Sequence, residues 1–170
     1  MRRDPEGWTP RALYMPGLSS VNEATDADTL RPMSHPAVLY VEDDPNDIML
    51  MRYAWTRVGV ENPLRIIPDG DEALRYLSGE GAYADRAEHP IPSLILMDLK
   101  LPKVSGLDVL KWIRAQPTLQ ELRVIVLSSS KRPPDIGAAH GLRIDAYLVK
   151  SHTFDEWVEM VRHLRDSWLA

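Results

Sequence analysis

Five short apolar runs, separated by longer segments with helical periodicity, limit what this 170-residue chain can fold into more than any other feature. The runs are Ala37-Val38-Leu39-Tyr40-Val41, the short strand Leu64-Arg65-Ile66-Ile67, which Arg65 interrupts, Leu94-Ile95-Leu96-Met97, Val124-Ile125-Val126-Leu127 and Ala146-Tyr147-Leu148-Val149. Side chains on a strand alternate between faces, so a run that is apolar at successive positions predicts a strand covered on both sides. Between the runs, Pro45 opens a helix whose Ile48, Met49, Met51, Trp55 and Val58 recur at helical spacing until Gly59 stops it. Asp69-Gly70 is a turn before a second helix carrying Ala73, Leu74 and Leu77, and Gly79 to Pro92 reads as a polar loop. Leu107 to Ile113 lies on a third helix, Pro133-Pro134 starts a fourth that Gly141 closes, and a last helix runs from about Thr153 to Trp168. Parallel neighbours need a crossover of about a dozen residues, so this alternation predicts a doubly wound α/β domain with a five-stranded parallel sheet.

The first 36 residues break that pattern. They hold Pro5, Pro10, Pro16, Pro32 and Pro36 out of fourteen prolines, and show no sustained period. They are read as a flexible tail, 1–36, ahead of a domain at 37–170; Trp8 and Leu13-Tyr14-Met15 are its sticky points. A net charge of -5 with both signs interspersed argues against a nucleic-acid surface, which needs a concentrated basic patch. There are no cysteines, hence no disulfide framework or thiol nucleophile. No apolar run approaches the roughly 20 residues that cross a bilayer. A soluble, cytoplasmic protein without membrane contact is expected.

In doubly wound folds the reactive groups gather beyond the carboxyl ends of the strands. Past the first run come Glu42, Asp43 and Asp44; past the third, Asp98; past the fourth, Ser128, Ser129 and Ser130; past the fifth, Lys150. Carboxylates brought together raise one another's pKa, and a divalent cation resolves the repulsion. Hard oxygen ligands select Mg2+, which keeps several waters and takes few carboxylates together with phosphate oxygens. An aspartate is a known acceptor in covalent phosphoryl transfer, with a lysine and a hydroxyl available here to meet the phosphoryl oxygens.

The order Glu42-Asp43, Asp98-Leu99-Lys100-Leu101-Pro102, Ser128 and Tyr147-Leu148-Val149-Lys150 resembles the receiver domain of two-component response regulators, whose fold is flavodoxin-like. The resemblance spans residues 37 to 169 and implies Asp98 as phosphoacceptor, Asp43 as a direct Mg2+ ligand, Glu42 as a water-mediated one, and the Lys100 backbone carbonyl completing the metal site. It implies that Lys150 bonds the phosphoryl group, that Ser128 and Tyr147 form a switch pair, and that Lys100 and Ser130 tune the phosphoryl lifetime. Val41 to Asp47, the long loop and Lys150-Ser151 further resemble small regulators that partner phytochrome-type histidine kinases. Two departures stand out: Ser151 replaces the usual proline, and Ser128 the usual threonine.

Other readings compete at several positions. Asp44 is read as a cap on the helix opening at Pro45, since carboxylates favour helix N-termini. Ser129 is read as an ordinary loop residue, and the five histidines lack ligand spacing. A Mg2+-dependent phosphohydrolase with an aspartyl-phosphate intermediate is the alternative function. Such enzymes carry a second aspartate two residues after the nucleophile, where this chain has Lys100. The chain's end just after the fifth helix leads us to expect output through protein contacts rather than an attached domain. Finally, the last helix is apolar around half its circumference, wider than the ~100° stripe of a helix packed on a sheet. That surplus predicts a homodimer through Trp157, Met160, Leu164 and Trp168.

Overall fold

The computed structural model describes residues 35–169. Within them lie β1 (Val38–Val41), α1 (Pro45–Val58), β2 (Leu64–Ile67), α2 (Gly70–Ser78), β3 (Leu94–Met97), α3 (Gly106–Ala115), β4 (Arg123–Ser128), α4 (Pro133–Gly141), β5 (Ala146–Val149) and α5 (Phe154–Leu164). The expected tail, with Trp8 and Leu13-Tyr14-Met15, lies outside the described residues apart from His35 and Pro36. No described helix is long and apolar enough to cross a membrane.

The strands form one sheet in the order β2-β1-β3-β4-β5, every pair parallel, as the alternation predicts. Alternate residues of each strand feed opposite layers. Leu39, Val41, Ile95, Met97 and Val124 pack under α2 and α3 with Tyr76, Leu77, Leu110 and Ile113. Val38, Tyr40, Leu94, Leu96, Ile125 and Leu127 pack under α1 and α5 with Met51, Trp55, Trp157, Val161 and Leu164. This double burial is why β1, β3 and the centre of β4 read as unbroken apolar runs. The chain leaves β1 for β2 on one side and returns to β3 on the other, so the carboxyl ends of β1 and β3 flank the point where the winding reverses.

Local signals set the boundaries. Asp44 caps α1, its side chain accepting from the Asn46 amide at 2.8 Å, and Gly59 ends the helix with φ 71°. The loop expected between Gly79 and Pro92 contains one 3-10 turn, Gly81–Tyr83. Arg86 fastens it to α2 by donating to the carbonyls of Tyr76 and Leu77, each at 2.7 Å, which satisfies groups orphaned at the helix end. The last helix starts one residue later than predicted because Thr153 is its cap, and residues Arg165–Leu169 widen into a π turn. That widening accompanies a hydrogen bond from Arg165 to the Val58 carbonyl at 3.0 Å, with Trp168 and Leu169 packed on the α1/α5 core.

Candidate functional site

The sheet delivers four of the predicted groups to one place. The ladder continues past the strands, with Glu42 N donating to Ile67 O, Asp98 N to Val41 O and Lys150 N to Ser128 O, and this fixes where each side chain departs. Lys150 places its ammonium 2.6 Å from Glu42, 2.8 Å from Asp47 and 2.7 Å from Asp98. Glu42 and Asp98 are buried, whereas Asp43 is exposed at the rim. Carboxylate oxygens of Glu42, Asp43 and Asp98 all lie within 4.8 Å of one another.

The electrostatics follow from this crowding. Burial pushes the Glu42 carboxyl above its ordinary range, and the Lys150 ammonium and the Asp44 amide oppose that push. Burial works against the charge of Lys150, yet its hydrogen bonds to Asp47, Asp98 and Glu42 hold its pKa above the usual lysine value. Tyr40 lies beneath Glu42 and donates to it at 3.1 Å. Its phenol is raised by burial and then by the Glu42 charge, so it serves as a neutral donor. One ammonium among four carboxylates leaves the pocket rich in negative charge, which a divalent cation would balance.

The donor set suits a hard cation. Around octahedral magnesium with bonds near 2.1 Å, opposite ligands stand roughly 4.2 Å apart. Adjacent ligands stand only about 3.0 Å apart, so oxygens within 4.8 Å of one another would draw in around a shared cation, or a water would replace a direct bond. The Lys100 amide donates to Asp98 Oδ1 at 3.2 Å and orients that carboxylate, while the Lys100 side chain is exposed.

Ser128 is fully buried beside this cluster, and its hydroxyl accepts from the Ser130 amide at 3.3 Å. Tyr147 donates from its phenol to the Ser130 carbonyl at 2.8 Å. The Ser130 hydroxyl turns to Asp135 in the first turn of α4 and also accepts from the Arg132 amide. Ser130 thus touches Ser128, Tyr147 and α4 through its three polar groups.

Two readings need amendment. Asp47 was not singled out from the sequence, although it is a partner of Lys150. The available signal was its place in the first turn of α1, directly above β1, where an acidic side chain can reach back over the strand end. The dimer patch is corrected by burial: Trp157 and Leu164 are 0% exposed within the protomer, and Met160 and Trp168 are partly buried against the same core. α5 packs on α1 as well as on the sheet, so its wide apolar face is occupied from two sides.

Comparison with known proteins gives concordant matches. Residues 38–162 match the response regulator receiver domain. Response regulator Rcp1 of Synechocystis sp. is 34% identical over 132 residues, covering 78% of this chain and 88% of that protein. The crystal structure of the phosphorylated cyanobacterial phytochrome response regulator RcpA superposes with a TM-score of 0.74 at 36% identity, covering 79% of this chain and 94% of the other. The Mn(2+)-bound form of Rcp1 superposes with a TM-score of 0.71 at 34% identity, with the same coverages of 79% and 94%.

Proposed function

The chain belongs to the response regulator receiver family, and from that premise we propose that a histidine kinase, of the phytochrome type, phosphorylates it on Asp98 with Mg2+. The observation that carries this reading is the place of Asp98. It sits at the carboxyl end of β3, within the acidic triad and 2.7 Å from the Lys150 ammonium. A carboxylate oxygen of Asp98 forms the new P–O bond as the P–N bond to the kinase imidazole breaks, and the departing imidazole takes up a proton. Glu42, Asp43 and Asp98, with the Lys100 carbonyl, would hold Mg2+, which when bound supplies positive charge to the phosphoryl oxygens. Lys150 supplies the second positive charge and releases part of its hold on the carboxylates to do so.

The Ser128 hydroxyl then turns from the Ser130 amide toward the phosphoryl group. Tyr147 exchanges its bond to the Ser130 carbonyl for an inward position, and the surface of α4, β5 and α5 changes with it. Lys100, exposed two residues past the acceptor, is the position we assign to control of the phosphoryl lifetime. Signalling by changed protein contacts in the cytoplasm, with no turnover of an external substrate, fits this arrangement better than the phosphohydrolase alternative. Lys100 stands where such an enzyme would carry its second aspartate.

Intact mass after incubation with Mg2+ and a small phosphodonor tests the reading. One phosphoryl adduct, absent in Asp98→Asn and absent after chelation, is expected. An adduct that persists in Asp98→Asn would move the acceptor elsewhere, and continuous release of phosphate over many turnovers would favour a hydrolase.

A further inference from the structure

The loop that leads from Asp98 into α3 is clasped at its far end and at its middle. At its far end the Gly106 amide donates to Leu99 O at 3.0 Å, and a Cβ on Gly106 would stand 2.1 Å from the Asp98 carbonyl oxygen. At its middle the loop lies on the start of α2. Gly70 N donates to Pro102 O at 3.4 Å, and a Cβ on Gly70 would stand 1.9 Å from the Val104 carbonyl oxygen. Lys103 turns the corner between these contacts with φ 65°. Its ammonium meets Asp69 Oδ2 at 2.6 Å; the Asp69 side chain is 8% exposed, and its other oxygen caps α2 at the Glu72 amide, 2.8 Å away.

That backbone conformation is informative. Left-handed φ is natural to glycine and disfavoured for a side chain such as lysine. Glycine would serve the corner better if geometry were all that mattered, so what lysine adds is its ammonium. Asp69 gains from the same contact. Burial works to raise its pKa, but the hydrogen bond from Lys103 and the amides of the first α2 turn bring the carboxyl below its ordinary value. The pair lies outside the acidic pocket, yet Lys103 belongs to the loop whose Lys100 amide orients the Asp98 carboxylate.

We propose that the Asp69–Lys103 ion pair is a latch that positions the acceptor loop, residues 98–106, for Mg2+ binding and phosphoryl transfer. The proposal rests on the reading of Asp98 as acceptor. Asp69 and Lys103 are positioning residues, since neither touches the reacting atoms. With the latch closed, the Lys100 backbone keeps one fixed relation to Asp98. With it open, the corner at Lys103 is free to relax toward ordinary backbone, and the ligand oxygens must be ordered anew at each binding event.

The test uses the full chain with Lys103→Met, Lys103→Gly, Lys103→Arg and Asp69→Asn, the last retaining a residue that caps helices well. Calorimetric titration with Mg2+ alone, the rate of adduct formation from a small phosphodonor, and the melting midpoint are measured for each. Lys103→Met, Lys103→Gly and Asp69→Asn should weaken Mg2+ binding and slow adduct formation by roughly two- to fivefold, the upper range of one partly exposed ion pair. Lys103→Arg should restore most of both, and the double variant Asp69→Asn/Lys103→Met should be no worse than either single change. Magnesium affinity unchanged in all variants, with only the melting midpoint lowered, would reduce the pair to a structural contact and overturn the latch. So would Lys103→Gly with the affinity of the native chain. A native chain that takes no phosphoryl group would overturn the acceptor reading instead, and the titration with Mg2+ would still decide whether the pair positions the loop.

Discussion

α4 and α5 flank the same strand, β5, but are held in place very differently. α5 begins with a capping box in which Thr153 and Glu156 bond one another's backbone, and it buries Trp157, Val161 and Leu164 completely. The Trp157 indole adds a hydrogen bond to the Ser151 carbonyl at 3.1 Å, just past the strand. α4 has nine residues, no side-chain hydrogen bond at its Arg132 cap among the described residues, glycines at 137 and 141, and one buried residue, Ala139. A helix with so few buried contacts opens at small free energy, whereas one that fills the core opens only with the domain. The loosely held helix is also the one bonded, through Asp135, to Ser130, which in turn bonds Ser128 and Tyr147, the pair we propose as the switch. Of these two helices, the one with fewer buried anchors is the one bonded to Ser130.

The largest way to break the contrast is to strip α5 of its anchor. Trp157→Ala removes a wholly buried side chain from the α1/α5 layer and should lower unfolding free energy by about 3–5 kcal/mol. Guanidinium denaturation measures it, and a loss near that of an exposed substitution would mean α5 is not the fixed member of the pair. A smaller change acts on its first turn. Thr153→Ala should lower stability by about 1 kcal/mol through loss of the cap. The effect should depend on pH. Bonds from the Thr153 hydroxyl, then from the amides of Thr153 and His152, hold the Glu156 carboxyl below its ordinary value of 4.5. A depressed carboxyl contributes stability above its unfolded pKa and loses it as pH falls through the folded one. The gap between the native chain and Thr153→Ala should therefore narrow on acidification below about pH 4.5; a gap that is constant with pH would deny the box its charged half.

How much of this was legible in the sequence depends on the range of the interaction. Strands buried on both faces announce themselves residue by residue, so β3 falls where its apolar run lies, and β1 and β4 lie within one residue of theirs at either end. Pro45, Gly59, Pro133 and Gly141 mark helix ends by local backbone chemistry alone. The convergence of Glu42, Asp98, Ser128 and Lys150 follows from sheet topology, which the alternation dictates. α5 was harder, because a wide apolar face does not say whether a second copy or α1 covers it. Asp47 needed the phase of α1 over β1, which spacing leaves open. The pairing of Asp69 with Lys103, 34 residues apart, and the left-handed turn at Lys103 have no periodic signal at all.

The mildest test sharpens the comparison from the other side by firming α4. A Cβ on Gly137 meets no described atom within 4 Å, and the position has no left-handed φ, so alanine fits without displacement. Glycine inside a helix is less favourable than alanine by roughly 0.5–1 kcal/mol, because it loses more backbone freedom on folding. Gly137→Ala should raise stability by about that amount and slow amide exchange across residues 133–141 while leaving α5 unchanged. Its effect on signalling should run the other way. If movement of α4 is what the phosphoryl group drives, a firmer α4 resists it, and the exchange difference between phosphorylated and unmodified chains should shrink. An undiminished difference in a demonstrably stabilised helix would mean that the switch acts through β5 and Tyr147 without needing α4 to loosen.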